Sequence, residues 1–175
     1  MEIYQGHDLA IGKNKKNDYY CCETIGVTHD LYQIWILDWY RDQISFPQQV
    51  KIVKKLYHGP ITPIWQGINW NVTKIGIESN AYQVALAQQV LDTGNYPIKE
   101  ITNIKDKKTR ITAGSVDYEN KLIMVPVDHP HYDKFLNEYV SFDEGEHDDM
   151  LDADDIARRL ILIKEDNPYV EIGTW

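Results

Sequence analysis

The chain has 175 residues, of which 43% are hydrophobic and 26% are charged. These fractions are ordinary for one globular domain with its own core, and they exclude intrinsic disorder and collagen-like structure. The formal net charge is −9, and residues 143–155 alone contain eight Asp or Glu and no Lys or Arg. A solvated acidic face is the usual explanation of such a run. A cation site is the sharper alternative, because clustered carboxylates repel one another unless a metal neutralises them.

Three features of the sequence bear on the compartment. The longest apolar stretch, residues 31–37, is far shorter than the roughly 20 residues of a membrane-spanning helix. The first residues lack the pattern of a secretory signal. Cys21 and Cys22 are the only cysteines, and adjacent cysteines rarely bridge each other. We therefore expect a reduced, cytosolic protein that does not associate with membranes.

The first part of the chain contains three β-rich runs separated by polar turns, which predict an antiparallel meander. The predicted strands are residues 3–11, 19–27 and 31–40. Apolar residues then recur at every third position, with a proline near the start and Gly-Pro at the end, which predicts a helix over residues 47–56. Residues 61–72 have no clear period and are expected to form a packed loop.

The rest of the chain alternates strands and helices. In chain order, the pattern predicts strands at 74–78, 98–102 and 121–125, and helices at 81–91 and 148–164. The basic run of residues 105–110 carries no such pattern and is typical of a solvated loop. Together these elements predict one α/β domain over residues 1–175, with a mixed sheet.

Acidic residues fall at three distant places. Asp8 is predicted to lie inside the first strand, where a buried carboxylate is costly unless it is paired or binds a metal. Glu78 ends the fourth strand. Asp148 and Asp149 begin the last helix, and Asp152 lies one turn beyond Asp149 on the same face. These carboxylates converge only if the three elements pack side by side.

The segments around these acids resemble a known family. In chain order they are Gly6-His7-Asp8-Leu9-Ala10, Ile77-Glu78-Ser79-Asn80-Ala81-Tyr82, Asp106-Lys107-Lys108-Thr109-Arg110-Ile111, Glu119-Asn120-Lys121 and His147-Asp148-Asp149-Met150-Leu151-Asp152-Ala153. The His-Asp-Asp-x-x-Asp-Ala helix start is the most specific of them. With these segments, about residues 3–165 of the sequence resemble the nuclease domain of the large terminase subunit of tailed bacteriophages, a branch of the ribonuclease H-like nucleases.

The resemblance implies a fold and a catalytic site. The fold is a five-stranded mixed sheet, three antiparallel strands followed by two parallel ones, with helices on both faces. The site is an acidic triad that binds two Mg²⁺ or Mn²⁺ ions: Asp8 and Glu78 match its first two acids. Asp149 is the choice for the third, with Asp148 and Asp152 as rivals or supporting groups. Carboxylate oxygens suit Mg²⁺ or Mn²⁺ rather than zinc, for which the sequence has no His/Cys cluster.

Other side chains leave alternatives open. Lys105, Lys107 and Arg110 either bind DNA phosphates or belong to a solvated loop. His147 either orients a carboxylate or packs at the start of the last helix. Four tryptophans are expected to pack in the core rather than to stack on bases or sugars: Trp35, Trp39, Trp65 and Trp70.

The expected function is that of a metal-dependent endonuclease that cuts concatemeric viral DNA during genome packaging in the cytoplasm of a bacterial host. The sequence contains no Gly-x-x-x-x-Gly-Lys-Ser/Thr phosphate loop. We therefore expect a nuclease module whose partners are double-stranded DNA, an ATPase motor domain, the portal and the small terminase subunit. The alternatives are another ribonuclease H-like nuclease, such as a junction resolvase, and a non-catalytic domain that docks on the portal or motor. Because the chain is acidic, its intrinsic affinity for DNA is expected to be weak.

Overall fold

The computed structural model describes residues 1–9, 19–28, 33–62, 65, 67–103 and 105–163. The elements in chain order are β1 Glu2–Asp8, β2 Tyr20–Thr28, β3 Gln33–Asp42, α1 Phe46–His58, β4 Val72–Glu78, α2 Ala81–Leu91, β5 Ile98–Ile101, α3 Lys107–Glu119, β6 Ile123–Met124, α4 Tyr132–Val140 and α5 Asp149–Leu162. In the described part of the chain, no helix is both long and apolar enough to cross a membrane.

A six-stranded mixed sheet with the order β5-β4-β1-β2-β3-β6 forms the centre of the molecule. Strands β1, β2 and β3 pair antiparallel, and β4 and β5 continue the sheet beside β1 as parallel strands. The predicted fold class is therefore confirmed. The number of strands is six rather than five, because the short β6 adds a parallel edge strand next to β3, with Ile123 opposite Ile34.

Helices cover both faces of the sheet and bury two separate hydrophobic clusters. Helices α1 and α2 pack on one face, burying among others Val53, Leu56 and Leu86. Helices α3, α4 and α5 pack on the other, where the core includes the ring of Trp39 stacked on Phe135. Of the tryptophans expected in the core, Trp39 and Trp70 are buried, Trp65 is partly buried and Trp35 is 41% exposed.

Two helices were not predicted from the sequence. The basic run is not a loop throughout: α3 begins at Lys107, and Asp106 caps it by accepting the Thr109 N–H at 3.0 Å. Helix α4 follows β6 and places Phe135 in the core. One strand end also differs. Strand β1 ends at Asp8, so this carboxylate lies at a strand end and not inside the strand, and residues 10 and 11 of the predicted strand lie outside the described residues.

Two glycines let helix α5 lie unusually close to the sheet. A Cβ on Gly6 of β1 would come within 2.2 Å of the Ala153 carbonyl oxygen and 2.4 Å of the Ala157 backbone nitrogen. A Cβ on Gly76 of β4 would come within 2.7 Å of the Ile156 side chain. Only the absence of these side chains allows the helix to cross β1 and β4 at this distance. The first turn of α5 is thereby fixed above the ends of the two strands.

Candidate active site

Asp8 and Glu78 are neighbours at one edge of the sheet. They are the last residues of β1 and β4, which run parallel, and the register that pairs residue 7 with residue 77 places them side by side. Side chains alternate along a strand, and the glycines two positions earlier both face α5. The carboxylates of Asp8 and Glu78 therefore point to the face covered by α5.

The first turn of α5 supplies the other carboxylates. Desolvation raises the pKa of Asp8 well above its usual value, and the negative charges of Asp152, Asp149 and Glu78 raise it further. The positive charge of the Lys107 ammonium acts on the pKa of Asp8 in the opposite direction. The structure thus brings four of the predicted ligands together, and among the three rivals for the third ligand Asp152 acts on Asp8 more strongly than Asp149.

A lysine neutralises two of the acids. The Lys107 ammonium lies 2.6 Å from an oxygen of Asp148 and 2.5 Å from an oxygen of Asp152. Lys107 lies in the first turn of α3, and the Asp106 carboxylate caps this turn. Asp148 precedes α5 and its side chain is 41% exposed. A cation therefore already lies between two carboxylates of this cluster, and it is a side chain of the protein itself.

The three residues predicted to bind DNA have different surroundings. Lys105 is exposed. Arg110 is nearly buried, with its guanidinium paired to Asp155 and 3.7 Å from Asp152. Lys107 is held in the ion pairs described above. The role of these residues in binding phosphate stays a prediction, and for Lys107 and Arg110 it would require the pairs with α5 to open.

Asp149 is the first residue of α5, and its side chain is 19% exposed, against 41% for that of Asp148. Desolvation raises its pKa to about 6, opposed by the positive charges of Arg41 and His147. The Arg41 guanidinium is 3.8 Å from Asp149 Oδ2, and His147 Nδ1 is 3.8 Å from the same oxygen. The ring of His147 also packs edge-on against Tyr19. His147 therefore lies near the carboxylate and also packs at the helix start, and the choice between its two predicted roles stays open.

A chain of polar contacts orients Glu78. The Asn103 amide donates to Glu78 Oε1, and its own oxygen accepts a 2.6 Å hydrogen bond from Arg159 of α5. Arg159 also donates to the Thr102 carbonyl at 2.6 Å. Neither Asn103 nor Arg159 was singled out from the sequence. A polar residue two positions after the parallel strand β5 was the available signal, since the ends of β4 and β5 meet at this edge.

His7, next to Asp8, belongs to the opposite face of the sheet. Its ring is buried, with Nδ1 2.7 Å from the Tyr20 hydroxyl and Nε2 3.6 Å from Cys22 Sγ. Burial lowers the pKa of His7 to about 3, so the ring is neutral at physiological pH. It therefore takes no part in the carboxylate cluster.

The donor set fits a hard divalent cation, although the side chains are not gathered tightly around one point. Within the described ranges, no three His, Cys, Asp or Glu side chains are close enough to hold one ion. Asp149 Oδ2, however, is buried without a hydrogen-bond partner, and the site consists of carboxylate oxygens, which Mg²⁺ and Mn²⁺ prefer. An ion bound here therefore requires these carboxylates to come closer together than they lie in this structure.

Comparison with known proteins gives one family and a consistent set of structures. The family model described as the terminase RNaseH-like domain matches residues 5–158. No curated protein sequence matches the chain. The fold is similar to the large terminase nuclease from thermophilic phage G20c, with a TM-score of 0.63 and 18% identity over 90% of this chain and 81% of that one.

Two other solved structures share the fold. One is the g2p (large terminase) nuclease domain from bacteriophage SPP1 with bound Mn, with a TM-score of 0.57 and 15% identity over 92% of this chain and 87% of that one. The other is the fowlpox virus Holliday junction resolvase, with a TM-score of 0.53 and 11% identity over 91% of this chain and 97% of that one. At these identities the similarity concerns the fold.

Proposed function

Because the chain belongs to the terminase RNaseH-like domain family, we propose that it is a divalent-metal-dependent DNA endonuclease. The observation that carries the proposal is the convergence of Asp8 and Glu78, at the ends of adjacent parallel strands, with Asp149 and Asp152 in the first turn of α5. A strongly raised pKa like that of Asp8, caused by desolvation and by specific neighbouring charges, is common at functional sites.

The residues that would hold the ions are the acids of this cluster. Asp8 is central, because the charges of Asp152, Asp149 and Glu78 all act on it, and the charge of Asp148 acts on Asp149. The proposal is two Mg²⁺ or Mn²⁺ ions, and the bound Mn of the SPP1 domain supports this choice of metal. Ions bound in such a site activate the attacking water and stabilise charge on the leaving oxygen of a phosphodiester.

The protein's own side chains prepare this chemistry in three ways. Asn103 and Arg159 orient Glu78 through the contacts described above. The glycine contacts between β1 and α5 fix the spacing between the strand-end and helix carboxylates. Lys107 supplies a positive charge at the exposed side of the cluster, where a DNA phosphate would approach, once it is released from Asp148 and Asp152.

We propose double-stranded DNA as the substrate, cut from concatemers during genome packaging in the cytoplasm of a bacterial host. The motor domain, portal and small terminase subunit are the proposed partners, and family membership supports them. A junction resolvase is the second candidate function, since the fold is also that of the fowlpox resolvase. A non-catalytic docking role is disfavoured, because such a role does not require the acids to converge.

Incubation of the protein with supercoiled plasmid in Mn²⁺, Mg²⁺ or EDTA tests the proposal. We expect nicking and linearisation with either ion and none with EDTA. Asp8→Asn should remove cleavage, whereas Asp92→Asn, at the end of α2 on the opposite face of the sheet, should retain it. A four-way junction offered beside a linear duplex distinguishes the two nuclease functions. Metal-independent cleavage, or cleavage that survives Asp8→Asn, would contradict the mechanism.

A further inference from the structure

Arg41 lies in the same row of the sheet as the strand-end carboxylates. The antiparallel register pairs Asp8 with Cys21 and Cys21 with Arg41, so the three side chains leave the sheet on the α5 face. The side chain of Arg41 is only 7% exposed, and its guanidinium lies 3.4 Å from the centre of the Tyr19 ring. A buried guanidinium needs compensating negative charge, because it stays protonated in proteins.

Two carboxylates provide that compensation, and both control the start of α5. The Arg41 guanidinium is 3.5 Å from Glu138 Oε1 and 3.8 Å from Asp149 Oδ2. The second oxygen of Glu138 accepts the backbone N–H of Met150 at 2.8 Å. Arg41 is therefore connected to the first turn of α5 in two ways, directly through a side chain and indirectly through a backbone group that the helix itself cannot satisfy.

We infer that Arg41 is a positioning residue, which together with Glu138 sets the direction of the Asp149 carboxylate. This inference rests on the proposed function, in which Asp149 is a ligand of the metal. The Oδ2 atom that faces Arg41 makes no hydrogen bond, so the guanidinium guides this carboxylate without occupying its lone pairs. The oxygen remains available to an ion, and Glu138 keeps the helix start from moving away from β3.

The sign of the effect on metal affinity distinguishes positioning from simple electrostatics. Arg41 is a positive charge close to a cation site, so if charge alone mattered, its removal would strengthen metal binding. If Arg41 positions Asp149, its removal weakens metal binding, and loss of groups that orient metal ligands typically costs about 10- to 100-fold in affinity. The two interpretations therefore predict opposite changes for the same substitution.

The test is Mn²⁺ affinity measured by titration calorimetry on wild type, Arg41→Met and Arg41→Lys, with circular dichroism to verify folding. We expect about 10-fold or greater weakening for Arg41→Met. A smaller loss is expected for Arg41→Lys, which keeps the charge but replaces the rigid, planar guanidinium by a compact ammonium on a flexible stem. Should Arg41→Met fail to fold, Arg41→Lys decides alone, because pure electrostatics predicts wild-type affinity for it.

Arg158→Met is the matched control. Arg158 is also a nearly buried arginine of the α5 side that bridges two carboxylates, Asp154 at 2.8 Å and Asp117 at 3.3 Å, but it lies more than two helical turns beyond Asp149. Its loss should lower stability and leave Mn²⁺ affinity unchanged. Wild-type or tighter Mn²⁺ binding by Arg41→Met would overturn the inference alone. No Mn²⁺ binding by the wild-type protein would overturn the proposed function and this inference with it.

Discussion

Gly6→Ala is the smallest change that separates the helix carboxylates from the strand carboxylates. The added Cβ would lie 2.2 Å from the Ala153 carbonyl oxygen and 2.4 Å from the Ala157 nitrogen, whereas ordinary contact begins at 3.4 Å. Both atoms belong to the backbone of α5, so no side chain can turn aside to accommodate the methyl group. Helix α5 therefore has to move away from β1 by about 1 Å, because steric overlap with a backbone is relieved by a shift of that backbone.

The retreat has two measurable consequences. Overpacking of this kind costs about 1–3 kcal/mol of the free energy of unfolding, which for a domain of this size lowers the melting temperature by about 2–12 °C. It also moves Asp149 and Asp152 away from Asp8, and a misplacement of about 1 Å can reduce catalytic rate about 100-fold. We therefore expect a folded protein whose plasmid cleavage falls far more than its stability does.

Plasmid nicking is measured at one fixed temperature and Mn²⁺ concentration, and the melting temperature is measured separately on the same proteins. Gly94→Ala is the matched control. A Cβ on Gly94 would lie 3.1 Å from the ring edge of Tyr96, a side chain that can shift, and it would not contact α5. This control should stay within about 0.5 kcal/mol of wild type, as surface substitutions usually do. Wild-type cleavage by Gly6→Ala would refute the argument that the close approach of α5 to β1 fixes the site.

Three further predictions concern the charges of the site. In EDTA, Asp8→Asn should raise the melting temperature measured by calorimetry, because desolvation and the surrounding acids raise the pKa of Asp8 and so disfavour its charged form; a lower melting temperature would argue against a crowded acidic site. Lys107→Met should lower the metal-free melting temperature and enlarge the stabilisation by Mn²⁺. Lys108→Met, which removes an exposed ion pair with Asp143, should do neither. Equal effects of the two substitutions would show that the Lys107 ion pairs do not compensate the negative charge of the carboxylate cluster. The pKa of Asp149 is about 6 in the folded protein and near 4 in an unfolded chain. Its contribution to metal-free stability, about 3 kcal/mol, is therefore complete below about pH 4 and is lost as the pH rises through 6. Asp149→Asn should make the free energy of unfolding depend less on pH in this window, and an unchanged pH dependence would exclude Asp149 as its origin.

The central part of the fold could be predicted because its signals are local. Runs of β-branched and aromatic residues with short turns indicate the β1–β3 meander, and the period of three marks α1. Helix α3 gave no such signal: Ile111 and Gly114 are its buried residues, so its sequence has the pattern of a charged loop. Its contacts with α5 include the ion pairs of Lys107 and Arg110 with acids more than 40 residues away, which no local window contains.

The same reasoning applies to the site. Asp8, Glu78 and the acids of the last helix were noticed because an acid inside a predicted strand, one at a strand end and several at a helix start are conspicuous in a short sequence window, and the family resemblance selected Asp149 among the last group. The closeness of Asp152 to Asp8 and the row position of Arg41 depend on the helix crossing and on the strand register. Both depend on tertiary structure. Arg41 was visible in the sequence as an arginine at the end of an apolar strand, but only the strand register across β2 places it in the same row as Asp8.

Anomalous diffraction at the manganese edge, from crystals of the wild-type protein soaked in Mn²⁺, shows whether the carboxylate cluster binds metal. We expect anomalous peaks at the end of β1, with Asp8 and at least one acid of the α5 start at ligand distances of about 2.0–2.6 Å. We also expect the Lys107 ammonium to leave its place between Asp148 and Asp152. Manganese bound elsewhere on the protein, with no peak within reach of Asp8, would contradict the assignment of this carboxylate cluster as a metal-dependent nuclease site.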